Sequence, residues 1–339
     1  MNKITDKFNR PMRDLRISVT DRCNFRCTYC MPKEVYGEAY RFLPKEELLN
    51  FDEIERITKL FANLGVSKLR ITGGEPLVRK NIENLISRLS KIKGIKDIAM
   101  TTNGYLLKEK VNILKSSGLN RLTVSLDAID NATFQKMSDQ KFDVNKVLDA
   151  IDYANNNGFK QIKINAVVKK GTNEHAIIDL ISHFKNTDNI VRFIEYMDVG
   201  NINGWNKDDV LSLKDIITII ENKFELSKVE PNYVGEVANR YRFKNGTGEI
   251  GIISSVSKPF CHSCTRSRIT MDGKFVTCLF ANGGLDLRKP IRDDLTDTEI
   301  SKIISDTWKI RDDRYSEIRS NLNNTSNKKK KIEMFQLGG

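Results

Sequence analysis

Six cysteines, which fall into two groups of three, are the residues of this sequence best suited to metal chemistry. The first triad is Cys23, Cys27 and Cys30, spaced C-x3-C-x2-C, and the second is Cys261, Cys264 and Cys278, spaced C-x2-C-x13-C. Free cysteines that only fill a core would rarely form two local groups with none left over. Three thiolates suit a [4Fe–4S] cluster that keeps one iron without a protein ligand, and such an iron can bind a small molecule.

Structural zinc is the main alternative for the second triad. Zinc in structural sites has four protein ligands, usually arranged as two pairs of cysteines or histidines. Each triad is one ligand short, but His262 lies between Cys261 and Cys264 and could complete a zinc site. This alternative stays open at the level of the sequence.

Composition and charge restrict the class of protein. The chain has 339 residues, of which 39% are hydrophobic and 29% charged, as in globular proteins. Neither a membrane-length apolar run nor a secretory signal is visible, so we expect a cytoplasmic protein in which disulfides are rare. The formal net charge of +12 favours an anionic partner. Part of it lies in the Lys328–Lys331 run, which we expect to be solvated, and we expect neither nucleic acid nor a membrane as partner.

Short β-rich segments alternate with helical ones over the first two thirds of the chain, which predicts parallel strands joined by helices. The predicted strands are 15–20, 68–74, 98–104, 121–128, 162–168 and 191–197. The predicted helices are 51–64, 81–92, 106–116, 143–157, 174–186 and 213–223. Asn50 and Glu53 have the spacing of a capping box at the start of the first helix.

The pattern changes after residue 225, which predicts a three-part organisation: 1–225, 226–319 and a tail at 320–339. Turn residues predict one hairpin around Asn245–Gly246 and another around Asp272–Gly273, followed by a helix near 296–309. This second part carries the second triad and should cover the open side of the strand–helix repeats. The tail begins with a low-complexity polar stretch at 320–331.

Side chains alternate across a strand, and in these strands the polar set falls on the face opposite the apolar set. The polar inward set is predicted to be Arg16, Lys68, Arg70, Thr72, Thr101, Asn103, Ser125, Asp127, Lys163, Asn165 and Arg192. Unpaired cations are costly in a dry interior, so they need water, counter-charges or an anionic ligand. Arg266 and Arg268 add guanidinium groups beside the second triad, and guanidinium forks suit phosphate oxygens. The pattern predicts a polyanion such as a nucleoside triphosphate, yet no Walker-type loop is present.

Several motifs resemble a known family. C-x3-C-x2-C with Tyr29 before the last cysteine, followed by Gly73–Gly74–Glu75–Pro76, resembles the radical S-adenosylmethionine (radical SAM) superfamily. The segments RITGGEPLVR, TTNG, VSLDA, RFIEYMDVG, CHSCTRSR, IRDDRYS and the final Gly338–Gly339 occur in the order seen in the GTP 3′,8-cyclase family, also called molybdenum cofactor biosynthesis protein A. The resemblance covers essentially the whole chain. It implies an α/β fold, a partial (β/α)6 TIM-like barrel with a C-terminal α+β segment over its open side.

The resemblance also implies an activity, a lyase reaction that is the first step of molybdopterin biosynthesis. The first cluster would bind S-adenosylmethionine and reduce it to methionine and a 5′-deoxyadenosyl radical. The radical would abstract the 3′ hydrogen of GTP, giving (8S)-3′,8-cyclo-7,8-dihydroguanosine 5′-triphosphate. The second cluster would hold the guanine through its open iron. The implied partners are GTP, a low-potential electron donor and the downstream cyclic pyranopterin monophosphate synthase. A homodimer is a separate prediction that the sequence does not decide.

Residue roles follow from the same resemblance. The six cysteines would bind the two clusters, and the S-adenosylmethionine contacts would be Tyr29, Gly74, Ser125 and Met197, with support from Glu75. The triphosphate contacts would be Arg16, Arg266 and Arg268, and the other GTP contacts Arg70, Thr101 and Lys163. Arg192, Gly338 and Gly339 would assist catalysis.

Two rival functions remain at this stage. One is a radical SAM enzyme that modifies a peptide and carries an auxiliary cluster, although such relatives usually have more C-terminal cysteines. The other is a non-enzymatic, zinc-dependent module that binds nucleic acid, based on the charge and the C-x2-C element.

Overall fold

Twelve strands form one open sheet in the computed structural model, which describes residues 4–319 and 331–338. In spatial order the strands are β12-β11-β10-β1-β2-β3-β4-β5-β6-β9-β8-β7. They span β1 Asp14–Ser18, β2 Lys68–Thr72, β3 Asp97–Thr102, β4 Arg121–Ser125, β5 Lys163–Val168, β6 Ile190–Glu195, β7 Leu226–Val229, β8 Asn239–Phe243, β9 Glu249–Ile253, β10 Arg266–Ile269, β11 Lys274–Val276 and β12 Leu285–Asp286. The eight central strands, from β10 to β9, run parallel, and the strands beyond them at each edge run antiparallel.

The helices connect the parallel strands, as the alternating pattern predicts. They span α1 Lys33–Tyr36, α2 Phe51–Asn63, α3 Ile82–Ser90, α4 Val111–Ser116, α5 Asn131–Ser138, α6 Asn145–Asn156, α7 Ala176–Phe184, α8 Leu213–Glu221, α9 Arg288–Arg292, α10 Asp297–Lys309, α11 Tyr315–Ile318 and α12 Met334–Leu337. Short 3-10 turns lie at Lys45–Glu47, Pro76–Val78, Lys108–Lys110, Lys207–Asp209 and Cys261–Ser263. In the described part of the chain, no helix is both long and apolar enough to cross a bilayer.

The main core lies between the sheet and the helices. Leu15 and Ile17 of β1 are at most 1% exposed and belong to the same cluster as the apolar face of α2. Burial of one such side chain contributes about 1.5–3 kcal/mol. The predicted capping box of α2 is confirmed: the side chain of Asn50 accepts from the Glu53 N–H at 2.9 Å, and the Glu53 carboxylate accepts from the Asn50 N–H at 2.7 Å.

The C-terminal segment occupies both edges of the parallel sheet. β9 pairs with β6 and β10 pairs with β1, so this segment flanks the opening of the six-unit barrel on both sides. Both predicted hairpins are confirmed, as β8–β9 and β10–β11. The division at residue 225 stays a prediction, since the strands on its two sides share one sheet.

Strand register brings basic residues of different strands side by side. Arg16 of β1 lies opposite Arg70 of β2 on one side and Arg268 of β10 on the other. Arg192 of β6 lies opposite Asn165 of β5. The fold therefore gathers on one face cations that are far apart in the sequence.

Candidate active site

The first triad lies in the loop after β1, at the carboxyl end of the parallel strands. The Cys27 carbonyl accepts hydrogen bonds from the Cys30 and Met31 N–H groups, both at 2.9 Å, which closes a tight turn. Phe25 anchors the loop in the core at 4% exposure, 5.7 Å from the ring of Phe134. The loop backbone is thus held by apolar packing, while the three cysteines have intermediate exposure as whole residues.

The thiols of the first triad are protonated unless a cation offsets their charge. Burial raises the pKa of Cys23 to about 12 and the pKa values of Cys27 and Cys30 well above their usual range. Iron binds thiolates, so cluster assembly must displace these protons.

A second loop, at Gly73–Glu75 after β2, crosses directly against the first. The Gly74 N–H donates to the Thr20 carbonyl at 2.8 Å and the Glu75 N–H to the Arg22 carbonyl at 2.9 Å. A Cβ on Gly74 would overlap the Arg22 carbonyl oxygen. The glycine therefore permits the close approach of this loop to the triad loop.

Glu75 connects this loop to the end of β3. Its buried carboxylate accepts from the Thr102 hydroxyl at 2.8 Å and from the Asn103 and Leu77 N–H groups at 2.7 and 3.0 Å. The Asn103 amide in turn donates to the Asn24 side chain at 2.8 Å, beside the first triad. Burial raises the pKa of Glu75 to about 7, against the opposing effect of these hydrogen bonds.

The other predicted S-adenosylmethionine contacts lie around the same end of the sheet. The Tyr29 hydroxyl donates to the Asp127 carboxylate at 2.8 Å, and burial raises the pKa of that carboxyl to about 6. Ser125 is the last residue of β4, and Met197, just after β6, lines the cavity that contains the second triad.

All three cysteines of the second triad line one central cavity. The Cys264 N–H donates to the Cys261 carbonyl at 3.1 Å, which closes the C-x2-C turn. Arg266 Nη2 lies 3.1 Å from the Cys264 Sγ. Burial opposes the thiolate, but Arg266 and Arg311 outweigh it and lower the pKa of Cys264 to about 6.

His262 points away from the second triad. Its side chain is 75% exposed and pairs with Glu317, with Nδ1 3.7 Å from the carboxylate, and it is absent from the lining of the central cavity. This position does not favour the zinc alternative.

The central cavity encloses about 1480 Å³ of empty space, part of it open to solvent, between β1–β6 and the C-terminal segment. Its lining is strongly basic, with nine basic side chains against two acidic ones. The basic residues are Arg16, Lys68, Arg70, Arg121, Lys163, Arg192, Arg266, Arg268 and Arg311, and the acidic ones are Asp14 and Asp313. Thr101 and Asn165 also line it, so the strand alternation brings the predicted GTP contacts together.

Most of these cations lack nearby carboxylates, and their pKa values fall. Burial, followed by repulsion from Arg192, Arg121 and Arg70, lowers the pKa of Lys163 to about 7. Burial lowers the pKa of Arg192 to about 9 and that of Arg70 and of Arg268 to about 10. An anionic ligand would relieve this repulsion.

Hydrogen bonds within the cavity fix the orientation of several side chains that are predicted to contact GTP or to assist catalysis. Arg70 Nη1 donates to the Thr101 and Thr123 hydroxyls at 2.9 and 3.0 Å. Arg192 Nε donates to the side-chain amide oxygen of Asn165 at 2.9 Å. These bonds use part of each guanidinium group and direct it into the cavity.

The chain end reaches the same region. Arg16 Nη1 donates to the Gly338 carbonyl and Arg268 Nη1 to the Leu337 carbonyl, both at 3.3 Å. Gly338 lies in the left-handed region at φ 64°, and a Cβ there would overlap the Thr72 side chain. Gly339, the other predicted member of the pair, lies outside the described residues.

Lys331 corrects one expectation for the tail. It is 9% exposed, not solvated, and its Nζ donates to the Tyr315 hydroxyl at 2.9 Å and the Asp198 carbonyl at 3.1 Å. Lys328–Lys330 lie outside the described residues.

Sequence reasoning missed several cavity residues, among them Arg121, Tyr233 and Arg311. Arg121 shares the strand parity of Ser125 and could have been found, and it is paired with Asp97 through two hydrogen bonds. Tyr233 lies in an irregular loop with its ring 4.0 Å from Lys68 Nζ. Arg311 belongs to the IRDDRYS motif, whose role no local pattern indicates.

Across residues 4–319 and 331–338, no three His, Cys, Asp or Glu side chains are placed to hold a single metal ion. In a [4Fe–4S] cluster each thiolate binds a different iron, so its ligands are further apart than those of one ion. The test for a cluster site is therefore the type of donor present, and each triad offers three thiols.

Two family descriptions match consecutive parts of the chain. Residues 17–184 match the radical SAM superfamily and residues 189–317 match Molybdenum Cofactor Synthesis C. A protein of Staphylococcus epidermidis named GTP 3′,8-cyclase is 50% identical over 337 residues, which cover 99% of both chains. Proteins with the same name from Staphylococcus carnosus and Staphylococcus aureus are 49% identical over 340 residues, which cover 100% of each chain.

Solved structures show a similar fold at low identity. SuiB of Streptococcus suis bound to S-adenosylmethionine is 21% identical, with a TM-score of 0.60, over 94% of this chain and 70% of that one. The protein anSMEcpe with bound AdoMet and a peptide is 18% identical, with a TM-score of 0.56, over 97% of this chain and 88% of that one. This likeness shows the fold alone.

Proposed function

This chain belongs to the GTP 3′,8-cyclase family of radical SAM enzymes, and we propose that its central cavity holds GTP between two [4Fe–4S] clusters. The reaction is the family's: GTP is converted to (8S)-3′,8-cyclo-7,8-dihydroguanosine 5′-triphosphate, with release of 5′-deoxyadenosine and methionine. It is the first step of molybdenum cofactor biosynthesis.

The observation that carries the assignment of the cavity is its charge. Nine basic and two acidic side chains surround one space that also contains the second triad. Arg121 and Arg311 are paired with carboxylates, but the other cations are not, and a triphosphate supplies the negative charge that they lack. Arginine forks match its oxygens. A peptide substrate offers no comparable charge, and the relatives that match over the full chain are named GTP 3′,8-cyclase, so the peptide-modifying alternative loses its support.

The residues present fit the two clusters. Each triad offers three soft thiolate donors and no fourth cysteine, which leaves one iron of each cluster for a small ligand. Ser18 Oγ and Asn24 Nδ2, near the first triad, are buried without a partner among the described residues, so polar groups are available to a bound molecule. When bound, the first cluster supplies the electron that cleaves S-adenosylmethionine and so provides a radical able to abstract hydrogen.

The protein's own groups bind and orient. Arg16, Arg266 and Arg268 would hold the triphosphate, while Arg70, Thr101 and Lys163 would hold the rest of the nucleotide. Tyr29, Gly74, Ser125 and Met197 would surround S-adenosylmethionine. Hydrogen-atom abstraction needs no general base, so the gain comes from holding the reacting atoms in place and from excluding side reactions.

The direct test is an assay of the reduced, cluster-replete protein with GTP and S-adenosylmethionine under anaerobic conditions. We expect stoichiometric 5′-deoxyadenosine and the cyclised triphosphate. Absence of both products, with about eight iron atoms per chain present, would refute the proposal.

Replacement of Cys261, Cys264 and Cys278 together by serine separates the two clusters. The variant should keep about four iron atoms and its response to S-adenosylmethionine, but lose GTP cyclisation. Unchanged cyclisation would show that the second triad is only structural, and four iron atoms plus one zinc in the wild type would refute the second cluster.

The reaction needs a low-potential electron donor, and its product would pass to cyclic pyranopterin monophosphate synthase. These partners, a cytoplasmic location and a homodimer stay predictions.

A further inference from the structure

Asp6, Arg10 and Arg311, which we call the arginine clamp, form a buried ion network outside the proposed cluster ligands. The side chains of Asp6 and the two arginines are at most 2% exposed. One Asp6 oxygen accepts from Arg10 Nε at 2.6 Å and from Arg311 Nη1 at 3.0 Å. Buried charges are costly to desolvate, so such a network gives little net stability compared with an apolar core.

The clamp is directed at the backbone of the second triad. Arg10 Nη1 donates to the Cys261 carbonyl at 2.7 Å, and Arg311 Nη1 donates to the Cys264 carbonyl at 2.9 Å. These are the first and last residues of the C-x2-C turn. The two arginines therefore hold both ends of the turn through its backbone carbonyls, which leaves the thiols in the cavity lining.

Further bonds fix the clamp itself. Arg10 Nη1 also donates to the Asp313 carbonyl at 2.9 Å, and Arg311 Nε donates to the Asp313 carboxylate at 3.1 Å. The Trp308 indole N–H donates to the Arg10 carbonyl at 3.1 Å. Three segments that are distant in sequence, at 6–10, 261–264 and 308–313, are thereby joined at the turn.

We propose that Asp6, Arg10 and Arg311 are positioning residues for the second iron–sulfur cluster. They hold the Cys261–Cys264 turn so that both cysteines line the basic cavity, where their thiolates would bind the cluster. This inference rests on the proposed function for the cluster's role toward GTP, but not for the clamp's effect on iron binding. Outer groups that orient metal ligands typically change metal affinity or activity 10- to 100-fold when altered.

Charge-conserving variants test the proposal. Lysine keeps the positive charge of Arg10 or Arg311, but its single ammonium group cannot reproduce bonds that each arginine makes through two nitrogens, Nε and Nη1. Asp6→Asn is the third and most disruptive variant, because it keeps the shape but removes the counter-charge of both arginines and sets an amide N–H against donors at one of the two oxygens. Iron content and the electron paramagnetic resonance spectrum of the full chain would be measured with and without S-adenosylmethionine and GTP.

Arg240→Lys is the matched control. Arg240 has a fork to Glu249 with two bonds of 2.7 Å, a further bond to the Glu230 carbonyl at 2.8 Å and a side chain 10% exposed. It lies on β8 and is absent from the cavity lining. Arg240→Lys therefore shows what the loss of a similar two-bond arginine contact does when the arginine lies away from the second triad.

We expect Arg10→Lys and Arg311→Lys to lose up to half of about eight iron atoms, with loss or broadening of the second-cluster signal. The first-cluster signal should still respond to S-adenosylmethionine, and Arg240→Lys should keep both signals. Full iron with an unaltered second-cluster signal in both variants would overturn the proposal. So would equal loss of both clusters, because that would indicate a general folding defect. A wild-type spectrum that does not change when GTP is added would refute the proposed function. Selective iron loss in the variants would still support the clamp in that case.

Discussion

Lys163 is the cavity residue whose charge changes nearest neutral pH. With burial and neighbouring arginines lowering its pKa to about 7, it is a cation below that pH and largely neutral above it. The net negative charge of bound GTP favours the cation, so GTP binding above pH 7 takes up a proton. We predict that GTP affinity, measured calorimetrically without S-adenosylmethionine, falls as pH rises from 7 to 8.5, by at most about tenfold per unit for this one group.

Lys163→Arg is the control for this prediction. Arginine stays protonated over the whole range, so the variant should lose the part of the pH dependence that comes from Lys163. Ionisation of the terminal phosphate is common to both proteins and cancels in the ratio of their affinities. A ratio that does not change between pH 6 and 8.5 would contradict the assignment.

Glu75 is a buried carboxylate that supports the first triad indirectly, through the loop residue Asn103. Three donors point at its two oxygens, so Glu75→Gln must set an amide N–H against at least one of them. We predict a loss of about 1–3 kcal/mol in the free energy of unfolding by urea, together with weaker retention of the first cluster. Glu109→Gln, at an exposed position, should stay within about 0.5 kcal/mol. Equal effects of the two changes would exclude the buried hydrogen bonds as the cause.

At the scale of elements, the crossing of two loops determines the shape of the first triad. Gly74→Ala would force its Cβ into the Arg22 carbonyl, although the backbone of Gly74 is not left-handed. We predict a cost of about 1–3 kcal/mol in unfolding free energy and selective loss of iron from the first triad. The second cluster should remain visible by electron paramagnetic resonance.

Gly283→Ala is the steric control, since a Cβ at Gly283 meets nothing within 4 Å. It should leave both clusters and the unfolding free energy nearly unchanged. If Gly74→Ala behaved in the same way, the close approach of the two loops would not depend on glycine.

The sequence predicts best those strands and helices in which apolar residues recur with a regular spacing. Alternation located β1–β6 within a few residues and correctly separated Arg16, which lines the cavity, from Ile17, which lies in the core. Helix α5 was missed because its apolar stripe is weak and its start depends on Asp130, whose side chain caps the Thr133 N–H. Spacing and motifs identified the six cysteines as a set.

Contacts between distant segments could not be predicted in this way. Arg10 reaches Cys261 across 251 residues, and the N-terminal segment that carries it has no periodic pattern. The burial of Lys331 depends on Asp198 and Tyr315, so its own neighbours in sequence gave the wrong expectation. Such partners follow from tertiary packing, which overrides local composition.

At the scale of the whole molecule, both ends of the described chain converge on the candidate active site. The N-terminal residues Asp6 and Arg10 pack behind the second triad, while Gly338 lies beside Arg16 and Thr72. The Phe335 ring packs 5.1 Å from Tyr36, close to the first triad. The barrel and the C-terminal segment provide the cations, and the two chain ends fix the geometry around the cavity.

Lys331 is the residue that should control docking of the C-terminal segment. Its ammonium group bonds the Tyr315 hydroxyl and the Asp198 carbonyl, and Lys331→Met keeps the length of the side chain but leaves the mostly buried Asp198 carboxylate without this partner. Loss of one partner of such a group costs about 1–3 kcal/mol or more. We predict that amides of residues 331–338 exchange hydrogen at least about tenfold faster, a change of about 1.4 kcal/mol, while amides of α2 are unaffected. Lys309→Met, at a side chain 58% exposed, is the control and should leave exchange unchanged. Equal protection of residues 331–338 in wild type and Lys331→Met would show that docking depends on the apolar contacts of Phe335 and Leu337 alone.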